Sequence, residues 1–405
     1  MGSSPPDVGS PSLILTRPTP AERTKVWTMT HPKWGAALTL DDYLGREVYL
    51  TTVPLAKDGG LTQWILTDST FPPDQRPILS SCESLRKRAL SASSSSSGEL
   101  IEGIAHGIAS VFTDPQYRGR GYASRMMREL GKVLRRWQVK DKNDQQSETS
   151  SDASGPESLF SVLYSDIGKT FYARNGWAPH ASSHVQFAPV HGASSGLEPQ
   201  NGYRTTSQNV AKPIGYHELA ELCSVDERLL RETLKHRVTQ EGKKNAAAIL
   251  PDLDSLLWHL MREDYMTKHI FGQTPAVKGA VWGEEKGKRM WAVWTRGYYG
   301  GLEKIEGNTL HILRFVVEDE GAEVECLREG FRSIVQIAQA EAAEWRSQDV
   351  QMWNPTPLTK KLVEGCGLEY EFVERDKESI ASLMWYGEGQ SEEVDWVANE
   401  KYGWC

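Results

Sequence analysis

Gln116-Tyr117-Arg118-Gly119-Arg120-Gly121-Tyr122-Ala123-Ser124 is the stretch on which the fold turns. Before it, Ile101 to Thr113 is a long run of small and apolar residues suited to a central strand. Asp114 and Pro115 turn the chain, and Tyr122 to Trp137 then carries apolar residues at Met126, Met127, Leu130, Val133, Leu134 and Trp137. That spacing predicts a helix with Arg128, Lys132, Arg135 and Arg136 towards solvent. The stretch therefore joins a strand to a helix. Gly119 and Gly121 remove side chains there, so successive backbone N–H groups can converge on phosphate oxygens, and the helix N-terminus adds roughly half a positive charge. Arg118 and Arg120 can add charge at the mouth. No Gly-Lys-Ser/Thr follows, which excludes a Walker loop, and the Gly-x-Gly-x-x-Gly spacing of a dinucleotide fingerprint is absent. The plainer alternative is a glycine turn with exposed arginines.

Working outward, Leu61 to Thr67 and Pro77 to Leu90 read as strands, with Ile78, Leu79 and Cys82 facing inward. Leu159 to Tyr164 reads as a strand, Lys169 to Arg174 as a short helix ended by Asn175 and Gly176, and Ser183 to Pro189 as a further strand. Ser91 to Ser97 and Asp141 to Ser158 are low-complexity stretches expected to form surface loops. The order of elements predicts an α/β (α+β) mixed sheet flanked by helices, with its chemistry at one strand end.

A composition shift over Val190 to Tyr203 marks a boundary. Beyond it come helices at Tyr216 to Arg237 and Asp252 to His269, then strands at Ala276 to Trp282, Met290 to Thr295 and Thr309 to Val317. A helix from Ala322 to Arg346, a strand at Asp349 to Trp353, a helix from Pro357 to Glu364 and a strand from Ile380 to Tyr386 follow. This repeats the plan of the first half. A chain of 405 residues also exceeds the ~100 to 200 residues of one domain. We divide it into a catalytic domain at 1–197, a related domain at 198–388 and an aromatic tail at 389–405. The second unit has no Gly-x-Gly turn: Phe315-Val316-Val317 runs into Glu318-Asp319-Glu320-Gly321, which would repel a pyrophosphate. The tail carries Trp396, Tyr402 and Trp404 and should dock, either on the surface or against the interface of the two halves.

A hydrophobic fraction of 39% and a charged fraction of 25% are those of a soluble globular protein. No apolar run approaches the ~20 residues that span a bilayer, so no membrane partner is expected. The net charge of −8 argues against nucleic-acid binding and suits a small cationic substrate. Cys82, Cys223, Cys326, Cys366 and Cys405 are odd in number and form no Cys-x-x-Cys pair, indicating neither a zinc site nor a disulfide framework. No metal is expected. Residues 1–12 lack the order of a secretory signal, and Pro6 stands where a myristoylation signal wants Ser or Thr, so a frayed start and a cytoplasmic location are expected.

On Gln116, Gly119 and Gly121 the sequence resembles the GCN5-related N-acetyltransferase (GNAT) superfamily, whose acetyl-CoA motif is Gln/Arg-x-x-Gly-x-Gly/Ala at this junction. The resemblance implies that the preceding strand splays from its neighbour and offers Val111, Phe112 and Thr113 to pantetheine. It also implies pyrophosphate contacts from the amides of Arg118, Gly119, Arg120, Gly121, Tyr122 and Ala123, with Ser124 nearby. Phe171, Tyr172, Gly176 and Trp177 are similar to the superfamily's Phe-Tyr-x-x-x-Gly-Phe/Trp element. A phenol of pKa about 10 can protonate a thiolate whose parent thiol has a pKa of about 8.5, which makes Tyr172 the candidate general acid; the alternative is a core tyrosine. His106 is one candidate for the proton acceptor, against a packed or surface histidine, and no base is assigned.

The layout further resembles the fungal lysine N6-acetyltransferases, through Ile108 to Thr113, Leu163 to Gly168 and Met352-Trp353-Asn354-Pro355. That implies acetylation of the side-chain amine of free L-lysine, in lysine degradation, with the second unit lining the acceptor site. Trp282, Trp291, Trp294, Tyr298 and Tyr299 would either line that slot or belong to the core. A protein lysine, a polyamine or another small amine is the alternative acceptor, and an inactive acyl-CoA-binding module is a third reading. The sequence does not give the oligomeric state.

Overall fold

The structure, a computed structural model, describes residues 5–139, 158–190 and 210–404. The predicted loop over 141–157 and the boundary at 191–203 lie outside the described residues, as do residues 1–4 of the predicted frayed start. In the first half, β1 (Leu13–Thr16), α1 (Pro20–Trp34), α2 (Leu40–Leu50), β2 (Leu61–Asp68), β3 (Ser80–Ser93) and β4 (Leu100–Thr113) lead to α3 (Tyr122–Leu134). β5 (Phe160–Ser165), α4 (Thr170–Ala173), β6 (Ala178–Pro179) and β7 (Ser183–Phe187) follow. The second half contains β8 (Lys212–Ile214), α5 (Leu219–Thr239), β9 (Asn245–Ile249), α6 (Leu253–Phe271), β10 (Gly279–Trp282), β11 (Met290–Tyr298) and β12 (Asn308–Val317). It ends with α7 (Val324–Glu344), β13 (Asp349–Trp353), α8 (Pro357–Gly365), β14 (Glu371–Glu374), β15 (Ile380–Trp385) and β16 (Val394–Trp396).

The expected mixed α/β architecture is present as two sheets. The first runs β1-β2-β3-β4-β5-β15-β6, with β9 continuing along β3 and β16 pairing β9. The second runs β14-β7-β13-β12-β11-β10-β8. The strand expected to close the second unit, β15, instead lies antiparallel to β5, from Ile380 opposite Ser165 to Trp385 opposite Phe160. β7, from the first half, lies on β13 in return. The first sheet thus takes β9, β15 and β16 from the second half and the second takes β7 from the first; β15 and β7 each complete the open edge of a parallel pair.

The serine run is also more ordered than expected: Ser91 to Ser93 finish β3, and Ser94–Ser96 make one 3-10 turn before Ser97 adopts φ +56°. α1 and α2 lie in a stretch to which the sequence reading assigns no element. Thr19 starts α1 through a reciprocal cap: its hydroxyl accepts from the Glu22 N–H at 3.1 Å and its N–H donates to Glu22 at 2.9 Å. α3 lays Met126, Met127, Leu130 and Leu134 on the first sheet, and α7 lays Leu327, Phe331, Ile334 and Ala338 on the second. α6 is tied to the second sheet by buried ion pairs, Lys278 and Arg296 meeting Glu263 at 2.6 and 2.7 Å.

Candidate functional site

The site begins where β4 leaves its neighbour. β4 and β5 pair in parallel only from Ala105 opposite Phe160 to Ile108 opposite Leu163, although β4 runs on to Thr113. On the other edge Ser81 faces Phe112 and Glu83 faces Ala109, so β4 carries one extra residue against Cys82. This bulge puts Ser110 at φ +54° and turns the strand. Among the described residues, Val111, Phe112 and Thr113 therefore present a backbone edge with no strand beside it on the β5 side. Ser80 holds their other edge, its hydroxyl donating to the Phe112 carbonyl at 2.9 Å.

The turn that follows is built for open amides. Asp114 accepts from the Gln116 N–H and from the Gln116 side-chain amide, both at 3.0 Å, so Gln116 braces the turn. Arg118 donates to the Thr113 carbonyl at 3.1 Å, and Arg120 is exposed. Gly119 and Gly121 take φ +76° and +84°, which disfavours any side chain. Gly121 precedes α3 with no side-chain cap, leaving the first-turn N–H groups without intrahelical partners. Among the described residues a Cβ on Gly119 would meet nothing within 4 Å, so the space there is open, whereas one on Gly121 would meet Val8 at 3.4 Å, where Arg125 donates to the Val8 carbonyl at 3.2 Å. Tyr122 is different: its ring is core, and only its N–H belongs to the turn. Ala123 is half-buried in the first turn of α3. Ser124 donates to the Asn175 side chain at 2.6 Å, and Asn175 donates to the Phe171 carbonyl at 2.8 Å. Asn175, which the sequence offered only as a helix stop, couples the turn to α4.

Tyr172 on α4 is buried in the cluster that contains Cys82, Ile108, Met126 and Leu163, next to the bulge. Burial, with Cys82 and Asp166 as smaller contributors, raises its pKa well above that of a free phenol. Its proton stays on oxygen through the neutral range. His106 lies within the parallel ladder, opposite Ser161, fully buried, and burial lowers its pKa to about 4. It is a core residue, and its burial makes it a weaker base than a free imidazole.

A cleft on the opposite face of the first sheet was not foreseen. Trp27 and Thr30 from α1, Tyr43 and Glu47 from α2, Gln63 from β2 and Glu83 from β3 line it, and it reaches Cys82 and Ser110. Its lining is acidic and aromatic and contains no Lys or Arg. Cleft, bulge and Tyr172 thus meet around Cys82. Of the aromatics proposed for an acceptor slot, Trp282, Trp291, Trp294 and Tyr298 are buried core residues and Tyr299 is exposed. Among the described residues no group of His, Cys, Asp and Glu could hold a metal ion, and no helix is long and apolar enough to cross a membrane.

A family model described as the LYC1 GNAT-like C-terminal domain matches residues 197–405. The chain belongs to this family. Among relatives by sequence, a lysine acetyltransferase of Yarrowia lipolytica is 26% identical over 301 residues, covering 69% of this chain and 71% of its own. The uncharacterized protein YGR111W of Saccharomyces cerevisiae is 22% identical over 406 residues, covering 94% and 95%. Among solved structures, a GCN5-related N-acetyltransferase from Kribbella flavida gives a TM-score of 0.45 at 14% identity, over 92% of this chain and 70% of its own. N-myristoyltransferase from Saccharomyces cerevisiae with bound myristoyl-CoA gives 0.48 at 8% identity, over 96% and 84%.

The GNAT-like second half repeats the opening of the first. β12 pairs β13 in parallel from Thr309 opposite Asp349 to Ile312 opposite Met352 and then runs on to Val317. Its loop is closed to anions: Glu318 accepts from Arg289 at 2.6 Å and from the Gly287 N–H at 2.6 Å. The tail docks between the sheets rather than on the surface. Val394–Trp396 pairs β9 of the first sheet, Tyr402 is fully buried, and Glu400 accepts from the Phe315 N–H of the second sheet at 3.0 Å.

Proposed function

We propose that this chain is an N-acetyltransferase that moves the acetyl group of acetyl-CoA directly to a primary amine, the side-chain amine of free L-lysine. One observation carries the proposal: the unpaired β4 edge, the uncapped turn, Tyr172 and an acidic cleft converge on a single bulge. The edge at Val111, Phe112 and Thr113 would hold pantetheine. The N–H groups from Arg118 to Ala123 would take the pyrophosphate, with Arg120 adding charge. Coenzyme A supplies an activated thioester, and Tyr172 returns a proton to the departing sulfur. Residues 1–197 would be the catalytic unit, 198–388 its GNAT-like support, and 389–405 the tail that joins them. The location would be cytoplasmic.

L-lysine as acceptor is supported by the Yarrowia relative's name and by the acidic cleft. The absence of Lys and Arg from the lining favours a second acceptor, a polyamine, which brings no carboxylate to be paired. An inactive acyl-CoA module is disfavoured, since Tyr172 and both glycines stand in place. Thiol release from acetyl-CoA, measured against lysine, ornithine, spermidine and a lysine peptide, tests this. Turnover greatest with lysine is the expected result. Turnover with spermidine alone would replace lysine by a polyamine, turnover with the peptide alone would exclude both, and no thiol release would reject the enzyme.

A further inference from the structure

An ammonium of pKa about 10.4 cannot attack a carbonyl until it loses a proton, and His106 is a weakened base enclosed in the core. The cleft contains a better group. Glu83 is the residue of β3 that faces Ala109 across the ladder, immediately beside the bulge. Gln63 donates to its carboxylate at 3.0 Å, and Ser110 and Trp27 bring further polar groups that favour the ionised form. The charged or titratable groups around it are Glu47 and Tyr43 from α2, with Arg46 bound to Glu47 at 2.9 Å, and Cys82 beside it on β3. Burial, then the charge of Glu47, raises the Glu83 pKa above the usual carboxylate range. A carboxylate shifted that way is a stronger proton acceptor near neutrality.

Resting on the acetyltransferase reading above, we propose that Glu83 takes the first proton from the acceptor ammonium and that Glu47 holds that ammonium in the cleft. The ammonium gives one proton to Glu83 and becomes a neutral amine. Its lone pair forms the C–N bond at the thioester carbonyl carbon. The C–S bond breaks, sulfur leaves with the electron pair, and Tyr172 protonates it. The nitrogen then sheds its excess proton to the Tyr172 oxygen, and the proton on Glu83 passes to solvent through the open side of the cleft. One ammonium and one thioester give one amide, one thiol and one proton. The base and the acid act from opposite faces of the first sheet, so donor and acceptor would enter from opposite sides.

The test is the pH profile of kcat/KM for the amine that the wild-type chain acetylates best, measured for wild type, Glu83→Gln and Glu47→Gln. Glu83→Gln is expected to lower kcat about 100-fold or more and to abolish the acid limb, with coenzyme A affinity unchanged by calorimetry. Glu47→Gln is expected to raise the amine KM about tenfold and to move the acid limb to lower pH, because a like charge is removed beside Glu83. Unchanged coenzyme A binding by each variant shows that it has folded. An active wild type with a Glu83→Gln variant that keeps its kcat and its acid limb overturns the proposal and leaves the acetyltransferase standing. A wild type inactive on every amine overturns both.

Discussion

The two halves of the chain make the same opening and use it differently. In each, a parallel ladder stops while the first strand continues, and in each that strand carries one extra residue: at Ser110–Val111 against Cys82 in β4, and at Leu313 in β12, where Val293 faces Arg314 and Trp294 faces Ile312. After β4 the Gln116, Tyr117 and Arg118 amides are used within the turn, two glycines follow, and among the described residues nothing within 4 Å of Gly119 fills the space where a Cβ would point. After β12 the loop is acidic and locked by Arg289. The second opening is bridged by the chain itself: the Asn399 carbonyl accepts from Asn354 after β13 at 2.6 Å, Glu400 accepts from the Phe315 N–H on β12, and Lys401 stands 4.3 Å from the Trp353 ring centre. A splayed strand pair is therefore an unsatisfied edge that needs some partner. A ligand suits it in one sheet and a peptide segment in the other.

The largest test of that contrast is to remove the anchor of the bridging segment. Tyr402 is fully buried, donates to the Ile249 carbonyl at 2.7 Å, and offers its own carbonyl to His259 at 3.1 Å. Tyr402→Ala should cost about 3 to 5 kcal/mol of stability, read from denaturant unfolding. A loss below about 1 kcal/mol would mean that the tail merely rests on the second opening.

Acid should strain both halves alike, because each buries a histidine on its parallel strand. Burial lowers His106 to about 4 and His311 well below the usual range. A histidine whose folded pKa is depressed contributes nothing to the pH dependence above about 6.5; below that the unfolded chain takes up a proton that the folded one refuses, and stability falls down to the folded pKa, about 4 for His106. For His106 the loss over that window is about 3 kcal/mol. His106→Gln should flatten the unfolding free energy between pH 6.5 and 4 by that amount. An unchanged slope would place the acid sensitivity elsewhere.

Much of the first opening was legible because its chemistry is contiguous. Gln116 to Ser124 brings the turn, the missing side chains and the helix start together, and the apolar periods of β4 and α3 frame it. The cleft was not legible, since Trp27, Tyr43, Glu47, Gln63 and Glu83 are ordinary residues singly and meet only through packing of α1 and α2 on β2 and β3. One signal was available: Thr19-Pro20-Ala21-Glu22 has the form of a helix start, which an apolar period passes over. The exchange of β7 and β15 left no local trace either. Ser183–Phe187 and Ile380–Trp385 both read as strands, and which sheet each joins is settled by the edge it finds. The contact of Glu400 with Phe315 spans 85 residues and follows from no motif.

The smallest expected effect separates the two loops most cleanly. Gly119→Ala and Gly321→Ala each add one methyl group to the loop after a splayed strand. At Gly119 that group meets no protein atom within 4 Å, so a packing clash plays no part; what remains is the cost of φ +76° for an L-residue, roughly 1 to 2 kcal/mol, and intrusion on whatever the amides bind. At Gly321 the φ is not positive, and the nearest atom is a carboxylate oxygen of Asp319 at 3.3 Å, which accepts from the Gly321 N–H at 3.0 Å on an exposed side chain. Calorimetric titration with coenzyme A should give a Kd about tenfold weaker for Gly119→Ala, close to 1.4 kcal/mol, and an unchanged Kd for Gly321→Ala. Equal losses in both variants would show a general effect on folding rather than a cradle. No loss at Gly119 would remove the pyrophosphate from this turn and with it the distinction between the halves, because their backbones alone do not differ enough to make one a donor site.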